Sequence, residues 1–170
     1  MKKQIFSFEC ALRGLWYTIK SESHMRFHII AGIYVLFFSL FYSFSVTQWA
    51  ILILLIASVM SAEIVNTCIE VICNLVADRY EPLVKVAKDA AAGAVIIFAG
   101  AAATIAAIFF IDFKTIDKIF NFFIANPILL VLLIISIILS VIFVWLGPVG
   151  IKSAYIRYKG RRNNLSNSDK

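Results

Sequence analysis

The chain has 170 residues, of which 62% are hydrophobic and 15% charged, and its 16 lysines and arginines outnumber 10 acids to give a net charge of +6. A soluble domain carries about a quarter charged residues, so this composition excludes an ordinary soluble enzyme. No soluble basic module is present to bind nucleic acid, and the positive excess suits membrane orientation and anionic phospholipids instead.

Residues 1 to 28 form the first segment. Phe8, Leu12, Leu15 and Ile19 recur at helical spacing, with Glu9, Arg13 and Lys20 on another side. The pattern predicts an amphipathic helix lying in the membrane interface, with Trp16 and Tyr17 at the headgroup boundary; a short helix packed on protein has the same signature. Charges from Glu9 to Arg26 interrupt any signal-peptide core, so no cleaved leader is expected.

Four apolar stretches follow, at about 29 to 44, 49 to 77, 90 to 111 and 127 to 146. A helix of roughly 20 residues crosses a bilayer core, so the first stretch suffices only if Phe27 and His28 form its polar end. The short link at 45 to 48 makes the first two an antiparallel hairpin. With Trp49 at the outer interface, Glu63 lies about 21 Å and Glu70 about 32 Å further along the helix, which carries the acids toward the cytoplasmic side.

The third stretch is rich in small residues, among them Ala92, Gly93, Ala99, Gly100, Ala103 and Ala107. Such surfaces let membrane helices approach closely, which predicts a packing helix. Residues 112 to 150 comprise a connector or short interfacial helix and an extra transmembrane helix. Its hydroxyls, Ser136 and Ser140, are expected to bond to the preceding turn. Gly147 and Pro148 end that span, and residues 151 to 170 form a basic tail whose GRRNNLSNSDK end is expected to be disordered. Cys10, Cys68 and Cys73 lack metal-like spacing and read as small apolar packers.

Basic residues set the topology. Five lie up to residue 28, none at 45 to 48, three at 78 to 89, two at 112 to 126 and six from 147 onward. The positive-inside rule then predicts cytoplasmic termini and a cytoplasmic 78 to 89 loop, a parity that four spans satisfy.

Glu63, Asn66, Glu70 and Asn74 are separated by steps of three, four and four, which place them on one helix face. Carboxylates in hydrocarbon are costly and mark a polar cavity or a bound cation. An interhelical hydrogen-bond cluster and an ion pathway are alternatives to a catalytic or metal-binding pocket. Phosphoryl transfer needs acidic oxygens for magnesium, a cation against developing charge and a base for the attacking hydroxyl. Glu22, the Glu63 to Glu70 stripe, and Lys88 with Asp89 supply all three without a P-loop.

The segment EIVNTCIE from Glu63, followed by AKDAAAGAV from Ala87, resembles the prokaryotic diacylglycerol kinase and undecaprenol kinase family of small membrane lipid kinases. Arg13, Gly14, Glu22 and Arg26 fit the family's entrance helix, and the likeness covers residues 5 to 111. The resemblance implies an all-α membrane protein with an N-terminal amphipathic interfacial helix and a three-span kinase core at 29 to 111, to which this chain adds a fourth C-terminal transmembrane helix. It implies ATP- and Mg²⁺-dependent phosphorylation of a membrane lipid alcohol by a homotrimer in the bacterial plasma membrane. Glu63 looks like the general base, Glu22 and Glu70 like the metal-holding carboxylates, and Asn66, Lys88, Asp89 and Arg13 like nucleotide- or substrate-binding groups. The Glu22-x-x-x-Arg26-x-His28 pattern is similar to the undecaprenol branch. Asn74 stands where many members have Asp, and residues 78 to 82 depart from the common acid-Tyr-His loop, which bears on a second magnesium position and on nucleotide fit. A non-catalytic membrane adaptor with a kinase-like core is the alternative reading.

Overall fold

A computed structural model describes residues 2–76 and 81–168, with side chains for 3–76 and 81–153. These residues form six helices: α1 (Lys2–Ser21), α2 (Ser23–Ser39), α3 (Val46–Val76), α4 (Pro82–Phe110), α5 (Phe113–Ala125) and α6 (Pro127–Ser168). Three segments are long and apolar enough to cross a membrane, Val46–Val76, Pro82–Phe110 and Pro127–Ser153. At 17 residues, α2 is about 26 Å long, a little short of a hydrocarbon core of roughly 30 Å.

α1 ends where Glu22 leaves helical geometry (φ −102°, ψ 121°). Its Thr18 is buried, whereas Phe8, Leu12 and Trp16 are exposed to the surroundings. The apolar stripe therefore projects away from the protein along most of its length, as an interfacial helix requires, and only the C-terminal turns pack inward.

The expected span at 29 to 44 is displaced. Helix α2 starts at Ser23 and stops at Ser39, so Phe27 and His28 lie inside it. The reversal occupies residues 40 to 45 rather than 45 to 48, because Ser45 and Gln48 cap α3 reciprocally. Gln48 Oε1 accepts the Ser45 backbone N–H at 2.9 Å, and Ser45 Oγ accepts the Gln48 N–H at 3.3 Å. This capping box makes Val46 already helical. An aromatic cluster of Tyr42, Phe44, Phe109 and Phe110 closes this end, with Tyr42 Oη donating to the Phe110 carbonyl at 2.8 Å.

Pro82 opens α4 in the first turn, where its missing N–H costs nothing. α3 and α4 pack most extensively, while α2 lies against both α3 and α6. Gly32 permits the α2–α3 approach, since a Cβ there would stand 3.0 Å from Ile56 Cγ2. On α4 the buried residues are Ala91 and Val95. The small-residue face expected to pack is open at Gly93 and Gly100, around which nothing lies within 4 Å of an added Cβ. Likewise Cys68 and Cys10 are exposed and only Cys73 is buried.

Between α4 and α6 the connector is the helix α5, capped by Asp112, which accepts from the Lys114 backbone N–H. α6 breaks at Gly147 (φ 61°, ψ 176°) and resumes with Pro148, continuing to Ser168. The apolar span thus ends at Gly147 as expected, and of the segment expected to be a disordered tail the described residues, through Ser168, are helical. Pro at the first position of a new helix segment costs little, and the lysines and arginines beyond it are good helix formers. Ser136 bonds within its own helix to Leu133 O at 2.8 Å as expected. Beyond that, Tyr34 Oη lies 2.9 Å from Ser136 Oγ and 3.2 Å from Ser140 Oγ, joining α2 to α6.

Candidate functional site

Helix α3 runs unbroken through the polar stripe, so Glu63, Asn66, Glu70 and Asn74 share one face. Their exposure is graded. Glu63 is 3% exposed, Asn66 and Glu70 are half-buried, and Asn74 is exposed. Thr67 Oγ1 donates to the Glu63 carbonyl at 2.9 Å, which absorbs its hydroxyl within the helix. Asn66 Oδ1 is buried without a hydrogen-bond partner. An unpaired buried carbonyl oxygen costs about 1–3 kcal/mol, and here it adds a free acceptor between two acids.

The α1–α2 corner brings a second set of groups. Glu22 occupies the N-cap position of α2, yet its side chain makes no cap hydrogen bond, so both carboxylate oxygens are uncommitted by that helix. Glu22, His24 and Glu70 lie close enough for their charges to act on Glu63. His28, one and a half turns beyond Glu22, places Nε2 3.4 Å from Glu63 Oε1. The imidazole and carboxylate are largely withdrawn from solvent, with side chains 17% and 4% exposed.

The start of α4 supplies the cation. Lys88 Nζ donates to Asn74 Oδ1 at 2.6 Å, which ties the end of the stripe to the next helix. Because Asn is neutral, the contact orients the ammonium without cancelling its charge.

The structure therefore brings Glu22 and Glu70 each within electrostatic range of Glu63, with Asn66 on the same face of α3 and Lys88 joined to the stripe through Asn74. Two expected site residues are not drawn in. Arg13 is exposed on α1, its Nη2 3.1 Å from Cys10 Sγ and its guanidinium over the Phe6 ring. Asp89 is exposed beside Lys88. Of the departing loop, Asp78, Arg79 and Tyr80 lie outside the described residues.

Two residues join the site that sequence reasoning did not assign to it. His28 enters through the packing of α2 on α3 beside Glu63, which its spacing does not signal, since six residues from Glu22 turn it to a different helix face. Arg26 is buried behind the corner, 5% exposed, and donates to carbonyls of α1 and α6.

Among the described residues no group of three or more His, Cys, Asp or Glu side chains is placed to hold a metal ion. Magnesium does not need one, since it is held by one or two carboxylates together with substrate phosphates and water. Glu22 and Glu70 with the orphaned Asn66 Oδ1 are hard oxygen donors of that kind, so the residues present fit the ion.

Comparison with known proteins agrees with this chemistry. The family model for prokaryotic diacylglycerol kinase matches residues 9–110. The undecaprenol kinase of Bacillus subtilis is 44% identical over 93 residues, covering 55% of this chain and 76% of that protein. The diacylglycerol kinase of Synechocystis sp. is 34% identical over 99 residues, covering 58% of this chain and 57% of that protein. No solved structure matches the chain. Helices α5 and α6 begin beyond the family match. A carboxylate stripe with Glu63 buried at its head, on a membrane-embedded, multi-helix scaffold, and a match across most of the first four helices lead to one assignment: the chain belongs to the prokaryotic diacylglycerol kinase family and is a lipid kinase.

Proposed function

We propose that this kinase transfers the γ-phosphate of ATP to the hydroxyl of undecaprenol in preference to diacylglycerol. The observation that carries the site assignment is the convergence of Glu22 and Glu70 on the buried Glu63, with His28 beside it. Glu63 accepts the proton of the lipid hydroxyl as its oxygen attacks the γ-phosphorus and the bond to the β-phosphate oxygen breaks, releasing ADP. Its depth on α3 suits an alcohol arriving from the membrane. Glu22 and Glu70 hold magnesium with the nucleotide phosphates, Asn66 adds an oxygen beside them, and Asp89 organises the nucleotide side. Magnesium, when bound, offsets phosphate charge and aligns the transferring group. Lys88 provides a fixed positive charge against the phosphates, and Arg13 approaches the nucleotide or substrate from α1.

The preference for undecaprenol is supported by the higher identity to the Bacillus subtilis protein of that name and by the Glu22-x-x-x-Arg26-x-His28 pattern. The membrane arrangement we favour has four spans, α2 among them, both termini cytoplasmic, and an interfacial α1 against anionic phospholipid. A homotrimer is implied by the family, and the open Gly93 and Gly100 surface on α4 leaves room for a second copy. Purified protein in lipid, given ATP, magnesium and each alcohol in turn, tests the assignment. Phosphorylation of undecaprenol at a higher kcat/KM than diacylglycerol supports it, and the reverse ranking overturns the preference.

A further inference from the structure

Arg26 is a charged residue only 5% exposed, and the acceptors of its guanidinium are backbone carbonyls. Nη1 donates to Ile19 O at 2.9 Å and to Lys20 O at 3.1 Å, while Nε donates to Val144 O at 3.0 Å. These acceptors are available for a definite reason. The last carbonyls of a helix have no intrahelical amide, and α1 ends at Ser21 with Glu22 extended, which frees Ile19 and Lys20. In an unbroken helix the Val144 carbonyl would accept from residue 148. That residue is Pro148, and proline has no N–H to give.

One side chain thus caps the C-terminal ends of two helix segments, where the helix dipole also favours a cation. Gly147 completes the fit. Its φ of 61° with ψ of 176° lies in a region that essentially only glycine adopts. A Cβ there would stand 2.9 Å from Arg26 Cζ and 3.1 Å from Nη1. The break in α6 is therefore shaped around the guanidinium. On its other side Arg26 sits one turn beyond Glu22, its backbone N–H directed at Glu22 O at 3.4 Å. Val144, Gly147 and Pro148 all lie beyond the residues that match the family.

We propose that α6 is a positioning element of the kinase site: Arg26, held between the end of α1 and the Gly147 break, fixes the α1–α2 corner and so sets the Glu22 carboxylate for the metal–nucleotide complex. Arg26 is a positioning residue that acts through Glu22, and the inference rests on the reading of Glu22 as a metal-holding carboxylate. The added helix is then not a bystander, since its Val144 carbonyl is the acceptor that holds Arg26 Nε while Nη1 spans the end of α1.

The test uses the full chain in lipid and reads binding of Mn²⁺, a magnesium substitute, by electron paramagnetic resonance with a non-hydrolysable ATP analogue. Glu22→Gln is the reference for losing the carboxylate itself. Arg26→Gln and Gly147→Ala are each expected to raise the half-saturating Mn²⁺ concentration about tenfold, the scale of losing a hydrogen bond to a charged group. The double variant should bind no more weakly than Arg26→Gln alone, because both act through one contact. Gly147→Ala also strains the backbone, so Arg26→Lys is read beside it: it leaves Gly147 intact and keeps the charge but cannot reach all three carbonyls, and a shift of the same sign is expected. Wild-type Mn²⁺ binding in Arg26→Gln and Arg26→Lys, with Glu22→Gln impaired, overturns the positioning role and leaves the metal assignment standing. Wild-type binding in Glu22→Gln overturns the metal assignment and this inference together.

Discussion

His28 Nε2 lies 3.4 Å from Glu63 Oε1, joining the first turns of α2 to the middle of α3 at the most buried acid of the site. The separation is slightly longer than a well-formed hydrogen bond, but it gives the ring a fixed place beside the carboxylate. An imidazole there restrains the rotamer of Glu63 and receives the field of a proton arriving on it.

Loss of the base should therefore exceed loss of its neighbour. Glu63→Gln is expected to lower kcat by about 10²-fold or more, the usual contribution of a positioned general base. His28→Ala should lower it by a smaller factor, and the double variant should be no slower than Glu63→Gln alone. Steady-state kinetics of the four proteins give the comparison. Independent, multiplicative losses would separate the two residues functionally.

Lys88 and Asn74 make a different statement about charge. The 2.6 Å contact orients the ammonium with a neutral partner, so its charge is not cancelled there. Lys88→Gln is expected to raise the half-saturating ATP concentration by about tenfold, the worth of a charge-assisted contact. Asn74→Leu keeps the charge but frees the side chain, and its effect should be smaller. Titration of a non-hydrolysable ATP analogue separates binding from turnover.

Tyr34 bridges to Ser136 and Ser140 across the α2–α6 contact. Interhelical hydrogen bonds in membrane proteins contribute about 0.6 kcal/mol on average and up to about 1.7 kcal/mol. Tyr34→Phe should reduce stability by an amount in that range without changing the site, as read from reversible unfolding in mixed micelles alongside kcat. A larger effect on kcat than on stability would contradict a purely structural bridge.

Asp112 caps α5. The Thr115 hydroxyl bonded to its carboxylate, together with backbone N–H donors from Lys114 and Thr115, holds its pKa below the ordinary aspartate range. A depressed folded value means that the cap stabilises the folded state above the unfolded pKa and is lost as pH falls through the folded one. The Lys114 amide shift should follow that protonation, with a midpoint below that of free aspartate, and Asp112→Ala should abolish the transition. NMR of the labelled protein in micelles reads both.

Much of this architecture is legible in the residues. The three-four-four spacing of Glu63, Asn66, Glu70 and Asn74 fixes a common face wherever the helix runs, because helix geometry is local. Pro82 marks the start of α4 for the same reason. Even the early start of α3 was encoded locally, in Ser45 and Gln48, although hydropathy alone placed the turn later. Long-range partners are another matter. Pro148 deprives Val144 of its amide, which the sequence states, but that Arg26 fills the gap depends on how α2 and α6 pack. The His28 contact with Glu63 likewise needs the crossing of two helices that spacing does not determine. Small residues leave their partner open for a related reason. Gly93 and Gly100 allow close approach without specifying a neighbour, and the buried face of α4 is that of Ala91 and Val95.

The central claim is that the buried Glu63, with the half-buried Glu70 on α3 and Glu22 at the α1–α2 corner, carries phosphoryl transfer to a membrane alcohol. Its most direct test is a radiolabelled ATP assay in lipid, with undecaprenol and diacylglycerol side by side, with and without magnesium, for the wild-type chain and Glu63→Gln. The account predicts magnesium-dependent labelling, greater for undecaprenol, that Glu63→Gln reduces about 10²-fold. Equal labelling of lipid by wild type and Glu63→Gln, in protein shown to be folded, would contradict it.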